Sequence, residues 1–304
     1  MSFAILMSLA FVGVAHGQGS IDGIGPVGEI EKVQDGFQFT EGPASDGEGT
    51  LYFTDIPAET IFQLSADGKI SPLTTTSGHA NGLMFDGEKH LIACQMDGQV
   101  VRIDRKTKDV EVLAGQYEGK RFNAPNDLVI DRQGGVYFTD PLFRAPEPLP
   151  QGTQGFYYIA PDKSVTQLDK DLPAPNGIAL SPDEKTLYVI PSMSAEMLAY
   201  DVKEPGKIEN RRVFCRLKQK QADGNSGGDG MTIDTKGNLY ITAATGVQVF
   251  DPSGKMLGNI AFPQQPANVT FGGPDRKTLY VTARTGLYRC AMEAAGHVYP
   301  GVVK

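Results

Sequence analysis

A short apolar segment built from β-forming residues recurs six times along the chain. The copies are Leu51-Tyr-Phe-Thr, Leu91-Ile-Ala-Cys, Val136-Tyr-Phe-Thr, Leu187-Tyr-Val-Ile, Leu239-Tyr-Ile-Thr and Leu279-Tyr-Val-Thr. A turn rich in Asp, Gly or Pro precedes each copy. Ahead of that turn lies another short apolar stretch, opened by one polar residue: Glu41, Asn81, Asn126, Asn176, Asp229 or Asn268. From opener to the second residue of the β segment the steps are 11, 11, 11, 12, 11 and 12 residues. A third strand candidate follows in each unit, as in Ile61-Phe-Gln-Leu, Val100-Val-Arg-Ile, Gly155-Phe-Tyr-Tyr-Ile and Val247-Gln-Val-Phe. The openers are spaced by 40, 45, 50, 53 and 39 residues. Units of that length with three or four short strands predict propeller blades, which must stack around an axis because none can bury both faces of its sheet alone. The sequence therefore predicts an all-β, six-bladed β-propeller. Gly28-Glu-Ile-Glu-Lys-Val, before the first opener, is expected to supply the outer strand of the last blade and close the ring, which removes the free edges.

Composition supports this picture. The chain has 304 residues with 36 Gly and 20 Pro, so many turns and no long helices are expected. It is 40% hydrophobic and 21% charged, enough to bury a large core. The net charge of −8 argues against nucleic acid as a partner, since phosphate binding needs a basic footprint. Phe3 to Val14 is mostly apolar and Ala15-His16-Gly17 offers small residues at a cleavage site, so residues 1–17 read as a secretory signal ahead of a single domain over 18–304. This predicts an exported protein. No other apolar run is long enough to span a membrane. Cys94, Cys215 and Cys290 form neither a CxxC pair nor a zinc pattern; buried thiols are expected, one disulfide being the alternative after export.

The first strand of a propeller blade lines the central channel, so the six openers should form a ring. That ring holds two carboxylates and four amides, all oxygen donors, with no Cys or His. Such a set suits calcium ahead of magnesium and manganese, and these ahead of zinc. A wet channel would also call for polar residues at six equivalent places, with no metal at all. Gly and Pro residues flank several openers and let the backbone approach a ligand closely.

Six motifs on these blade-matched positions, Thr40-Glu-Gly-Pro, Phe122-Asn-Ala-Pro-Asn-Asp-Leu, Phe138-Thr-Asp-Pro, Ala174-Pro-Asn-Gly, Gly228-Asp-Gly-Met and Asn268-Val-Thr-Phe-Gly-Gly, make the chain resemble the SMP-30/gluconolactonase/LRE-like family of calcium-dependent hydrolases from about Phe37 to Cys290. The resemblance implies that Glu41, Asn176 and Asp229 bind the metal, that Asn126 contacts metal or substrate, and that Asp229 is general base or nucleophile. Some members carry an Arg two residues before the position of Asn126; this chain has Ala124 there, with Arg121 upstream as the candidate that orients substrate. A related phosphotriesterase-like branch has a histidine near the axis in its last blade, where this chain reads Ala267-Asn268.

The implied reaction is hydrolysis of a sugar lactone, with the metal polarising the carbonyl and Asp229 taking a proton from water or attacking directly. Aryl-ester or phosphotriester hydrolysis on the same scaffold is the alternative, and a non-catalytic binding propeller the third class. His79, two residues before Asn81, is a candidate at the pocket mouth, either as substrate contact and proton carrier or as a wall residue. Asp127 and Asp140 either orient the ring or cap turns. The loop from Pro141 to Gln154 is long for a propeller connection and is either a lid over the channel or a disordered surface loop.

Overall fold

A computed structural model describes residues 20–221 and 226–300. The proposed signal, residues 1–17, lies outside the described residues. The first strand, β1 (Val27–Asp35), runs along the surface before the blades begin. Blade one is β2 (Thr40–Ser45), β3 (Leu51–Asp55), β4 (Thr60–Leu64) and β5 (Ile70–Thr74). Blade two is β6 (Ala80–Phe85), β7 (Leu91–Gln95), β8 (Gln99–Ile103) and β9 (Val110–Ala114). A two-stranded ribbon, β10 (Gln116–Tyr117) and β11 (Lys120–Arg121), leads into blade three, β12 (Leu128–Ile130), β13 (Val136–Asp140), β14 (Gly155–Ile159) and β15 (Val165–Asp169). Blade four is β16 (Pro175–Leu180), β17 (Thr186–Pro191), β18 (Glu196–Glu204) and β19 (Lys207–Arg216). Blade five is β20 (Met231–Ile233), β21 (Leu239–Ala243), β22 (Gly246–Phe250) and β23 (Met256–Ile260). Blade six holds β24 (Asn268–Gly272), β25 (Thr278–Ala283) and β26 (Gly286–Ala291), and β1 completes it.

The six recurring segments are the second strands, β3, β7, β13, β17, β21 and β25. Each is packed on both faces by neighbouring blades, which is why it reads as a continuous apolar run rather than an alternating one. The cores lie between blades. Ala44, Tyr52 and Ile61 meet Leu83, Phe85 and Leu91 across the first junction, and Phe37, Leu51 and Phe53 meet Tyr280 and Leu287 across the last. β1 pairs antiparallel with β26, from Val27 opposite Ala291 to Asp35 opposite Gly286, so the N-terminal segment closes the ring as expected. Arg289 and Glu31 add a two-pronged ion pair across that seam, at 2.8 and 2.9 Å.

Among the described residues there is no helix, and so none long and apolar enough to cross a membrane. Cys94, Cys215 and Cys290 are buried free thiols.

Candidate active site at the mouth of the channel

The innermost strands β2, β6, β12, β16, β20 and β24 contact one another in turn and surround the axis. Five of the six enter the sheet irregularly. The register slips between Glu41 and Ala44, between Ala80 and Leu83, and between Pro175 and Ile178. In blades three and five, Asn126 and Asp229 precede the regular strand and are held by their amides donating to Thr139 O at 2.9 Å and Thr242 O at 3.0 Å. An extra residue at each slip turns the opener toward the axis.

The openers also need room to converge. A Cβ on Gly42 would lie 1.8 Å from Asn81 O, and one on Gly230 would lie 2.1 Å from the Asn268 side chain. Glycine after an opener is what lets the next blade's opener approach. Thr54 then clips that neighbour, its hydroxyl donating to Asn81 O at 3.1 Å.

The result is a cavity of about 500 Å³ lined by Glu41, Asn81, Asn126, Asn176 and Asp229, with Phe39, Ile56, Pro57, Met96, Phe143 and Arg144 on its walls. Asn176 Nδ2 donates to Asp229 Oδ1 at 2.7 Å. Glu41 accepts from Gly42 N at 2.9 Å. Among the described residues Asn81 Oδ1 is buried without a hydrogen-bond partner, a costly state for an amide oxygen in a protein interior.

The two acids repel each other in this setting. Burial, then the charge of Asp229, pushes Glu41 well above the usual carboxylate range. Burial pushes Asp229 up to about 6, against the Asn176 amide and the Arg284 charge, which pull it down.

Asn268 departs from the expected ring. It lines a smaller cavity further along the axis rather than the mouth. Blade six enters in unbroken register, with Asn268 opposite Thr282, so no bulge turns the side chain up. Its Nδ2 reaches Asp127 Oδ2 at 3.3 Å, and its side chain also donates to Glu41 from below the mouth. Asp127 stands where Glu41, Asn81 and Asn176 are followed by glycine, and burial lifts its carboxyl to about 7.

Two sequence candidates lie elsewhere. Arg121 does not line the mouth: its guanidinium donates to Phe122 O at 3.0 Å and Asn123 O at 3.2 Å, capping the loop that carries Asn126. His79 also lies outside the lining, with Nδ1 3.0 Å from Asp97 and Nε2 3.7 Å from Glu59. Arg121 was expected from the family resemblance and His79 from its place two residues before Asn81, and the backbone path sets both off the cavity lining.

Asp140 has an orienting role. Its two oxygens accept from Asn123 N and Ala124 N, each at 2.8 Å, and so hold the segment that presents Asn126. The loop after it is tied down rather than loose. Leu142 N donates to Gln154 Oε1 at 3.1 Å and Gln151 N to Asn123 Oδ1 at 3.1 Å. Phe143 and Arg144, which the sequence reading did not single out, thereby become part of the cavity wall. The unusual length of that loop was the only sign of them.

This geometry matches known proteins over most of its length. A sequence model of the SMP-30/gluconolactonase/LRE-like region matches residues 39–285. The chain belongs to the SMP-30/gluconolactonase/LRE-like family. A gluconolactonase from Zymomonas mobilis is 31% identical, over 88% of this chain and 82% of the relative. Regucalcin from Xenopus laevis is 28% identical, over 83% and 85%. Among solved structures, a gluconolactonase from Xanthomonas campestris aligns with a TM-score of 0.80 and 30% identity, covering 92% of this chain and 91% of that one. These family relatives carry the propeller with them, in keeping with the six sheets seen here.

Proposed function

We propose that this chain hydrolyses a sugar lactone at the channel mouth, with a divalent cation held by Glu41, Asn176 and Asp229 and with Asn126 touching metal or substrate. The convergence of two carboxylates and three amides on one cavity carries this reading. The gluconolactonase relatives from Zymomonas mobilis and Xanthomonas campestris support the substrate class.

The residues fit a hard dication. The donors are all oxygen, Asn81 on the same cavity keeps a buried Oδ1 unpartnered among the described residues, and the mutual repulsion of Glu41 and Asp229 is what a dication would relieve. Calcium suits this set best. Bound there, a dication would supply Lewis acidity toward a lactone carbonyl.

Asp229 acts as the base. The Asn176 amide engages Oδ1 and leaves Oδ2 for a water. The water oxygen bonds to the carbonyl carbon as its proton passes to Asp229. The ring C–O bond then breaks, and that proton moves to the departing ring oxygen to give the open hydroxy acid. Phe39, Ile56, Met96 and Phe143 hold the substrate ring by its apolar faces and limit bulk water.

The test is a panel of sugar lactones, aryl esters and phosphotriesters assayed with calcium and after chelation. Lactones are expected to turn over fastest, with activity falling by about a hundredfold or more on chelation. Equal rates in the two conditions would remove the cation from the mechanism.

A further inference from the structure

The mouth cavity contains a cation that the reaction does not use. Arg144 lines it beside Phe143 and makes no hydrogen bond or ion pair with any described residue. Arg105, Arg132 and Arg289 each lie near a carboxylate, at 3.3, 3.4 and 2.8 Å. Arg121 is engaged by backbone carbonyls.

The turn that carries Arg144 is built. Ala145 N donates to Leu142 O at 3.0 Å, and the loop is pinned at Gln151 and Gln154. Arg144 itself takes a φ of 59°, a left-handed conformation that side chains other than glycine adopt infrequently.

A second arginine reaches the same rim from blade six. The Arg284 guanidinium lies over the Phe39 ring, 5.4 Å from its centroid, and Phe39 lines the cavity. Phe39 and Phe143 pack against one small apolar cluster of Ile56, Met96 and Ala124, so the two cations flank a common wall. Arg144 has no carboxylate partner among the described residues, while the Arg284 charge acts on Asp229.

The sign of the cavity follows. Glu41 and Asp229 balance a bound dication, and Arg144 then leaves a net positive mouth on a molecule whose net charge is −8. A neutral sugar lactone has no use for that charge. Guanidinium groups match carboxylate and phosphate through paired N–H donors.

Resting on the lactonase reading, we propose that Arg144, helped by Arg284 over the Phe39 side of the same wall, makes the cavity selective for lactones that carry an anionic group, a carboxylate or a phosphate, remote from the scissile carbonyl.

The experiment compares kcat/KM, with calcium present, for neutral glucono-1,5-lactone, its 6-phosphate, and a glucarolactone bearing a free carboxylate. The expected result is a preference of about tenfold or more for at least one anionic substrate, shrinking as salt rises from low to about 0.5 M. The two anionic arms separate phosphate from carboxylate recognition. Arg144→Gln should lower kcat/KM for the anionic substrate at least about tenfold more than for the neutral one, with Arg144→Lys recovering part of the difference. Arg284→Gln should add a smaller anion-specific loss to a loss shared by all substrates, since its charge also acts on Asp229. Turnover of the neutral lactone with no anionic preference, or equal losses for all substrates in Arg144→Gln, overturns the selectivity and leaves the hydrolase reading standing. Failure to turn over any lactone overturns both.

Discussion

The two ends of the central channel are lined by the same six strands and are built in opposite ways. At the mouth, the strands begin with bulges and polar openers, and the cavity is about 500 Å³ with a buried oxygen left unpartnered. At the far end the strands run regularly, and Leu128, Ile178, Met231 and Val269 close in on a space of about 50 Å³. The C-terminal segment seals that end. Gly296 N donates to Arg276 O and His297 N to Ile233 O, both at 2.9 Å, and Tyr299 packs against two inter-blade cores. On the function proposed above, the chemistry belongs to the irregular, locally unfavourable end, and the regular end supplies stability.

Substitutions can break or sharpen this division. Asp229→Asn at the mouth should lower kcat about 10²–10⁴-fold, while calcium affinity, read by calorimetry, weakens less than turnover does. A wild-type rate in that variant would show that Asp229 is not the base. Gly42 lies between the two ends. Gly42→Ala sets a methyl against Asn81 O, where a Cβ would lie at 1.8 Å, and should cost about 3 kcal/mol or more in urea unfolding, with activity lost in parallel. Tyr299→Ala at the sealed end should cost about 2 kcal/mol and keep lactonase kcat/KM within about twofold; a large loss of activity would mean that the two ends are coupled.

The smallest effect concerns pH. Burial holds Asp140 at about 7, against 3.8 for an ordinary aspartate. Between those values the folded chain keeps a proton that the unfolded chain releases. That contribution is therefore fully present below about pH 4 and is lost as pH rises through about 7, at up to about 1.4 kcal/mol per pH unit per group. Unfolding of calcium-free protein between pH 4.5 and 7.5 should show this fall, with a shallower slope in Asp140→Asn. Asp127, also near 7, should leave part of the slope in place from the other end of the channel. An unchanged slope in Asp140→Asn would remove Asp140 as a contributor.

Much of this was legible in one dimension. Strand pairing repeats the same turn chemistry in every blade, so the six registers, the opener positions and the closing strand β1 could be read from spacing alone. Five openers then met at one cavity because equivalent places in a rotationally repeated fold lie at one height. Asn268 broke the pattern because its strand lacks a bulge, a backbone detail with no composition of its own. Arg121 and His79 lie off the cavity lining, and Arg144 on it was not foreseen, for a related reason. Nearness along the chain to an opener says little about which way a loop turns, and Arg144 lies 18 residues from Asn126. The repeat of local turns and strands was therefore encoded in the sequence itself. Which charges face the cavity was decided by the paths of loops and by side-chain partners that exist only once the blades are stacked.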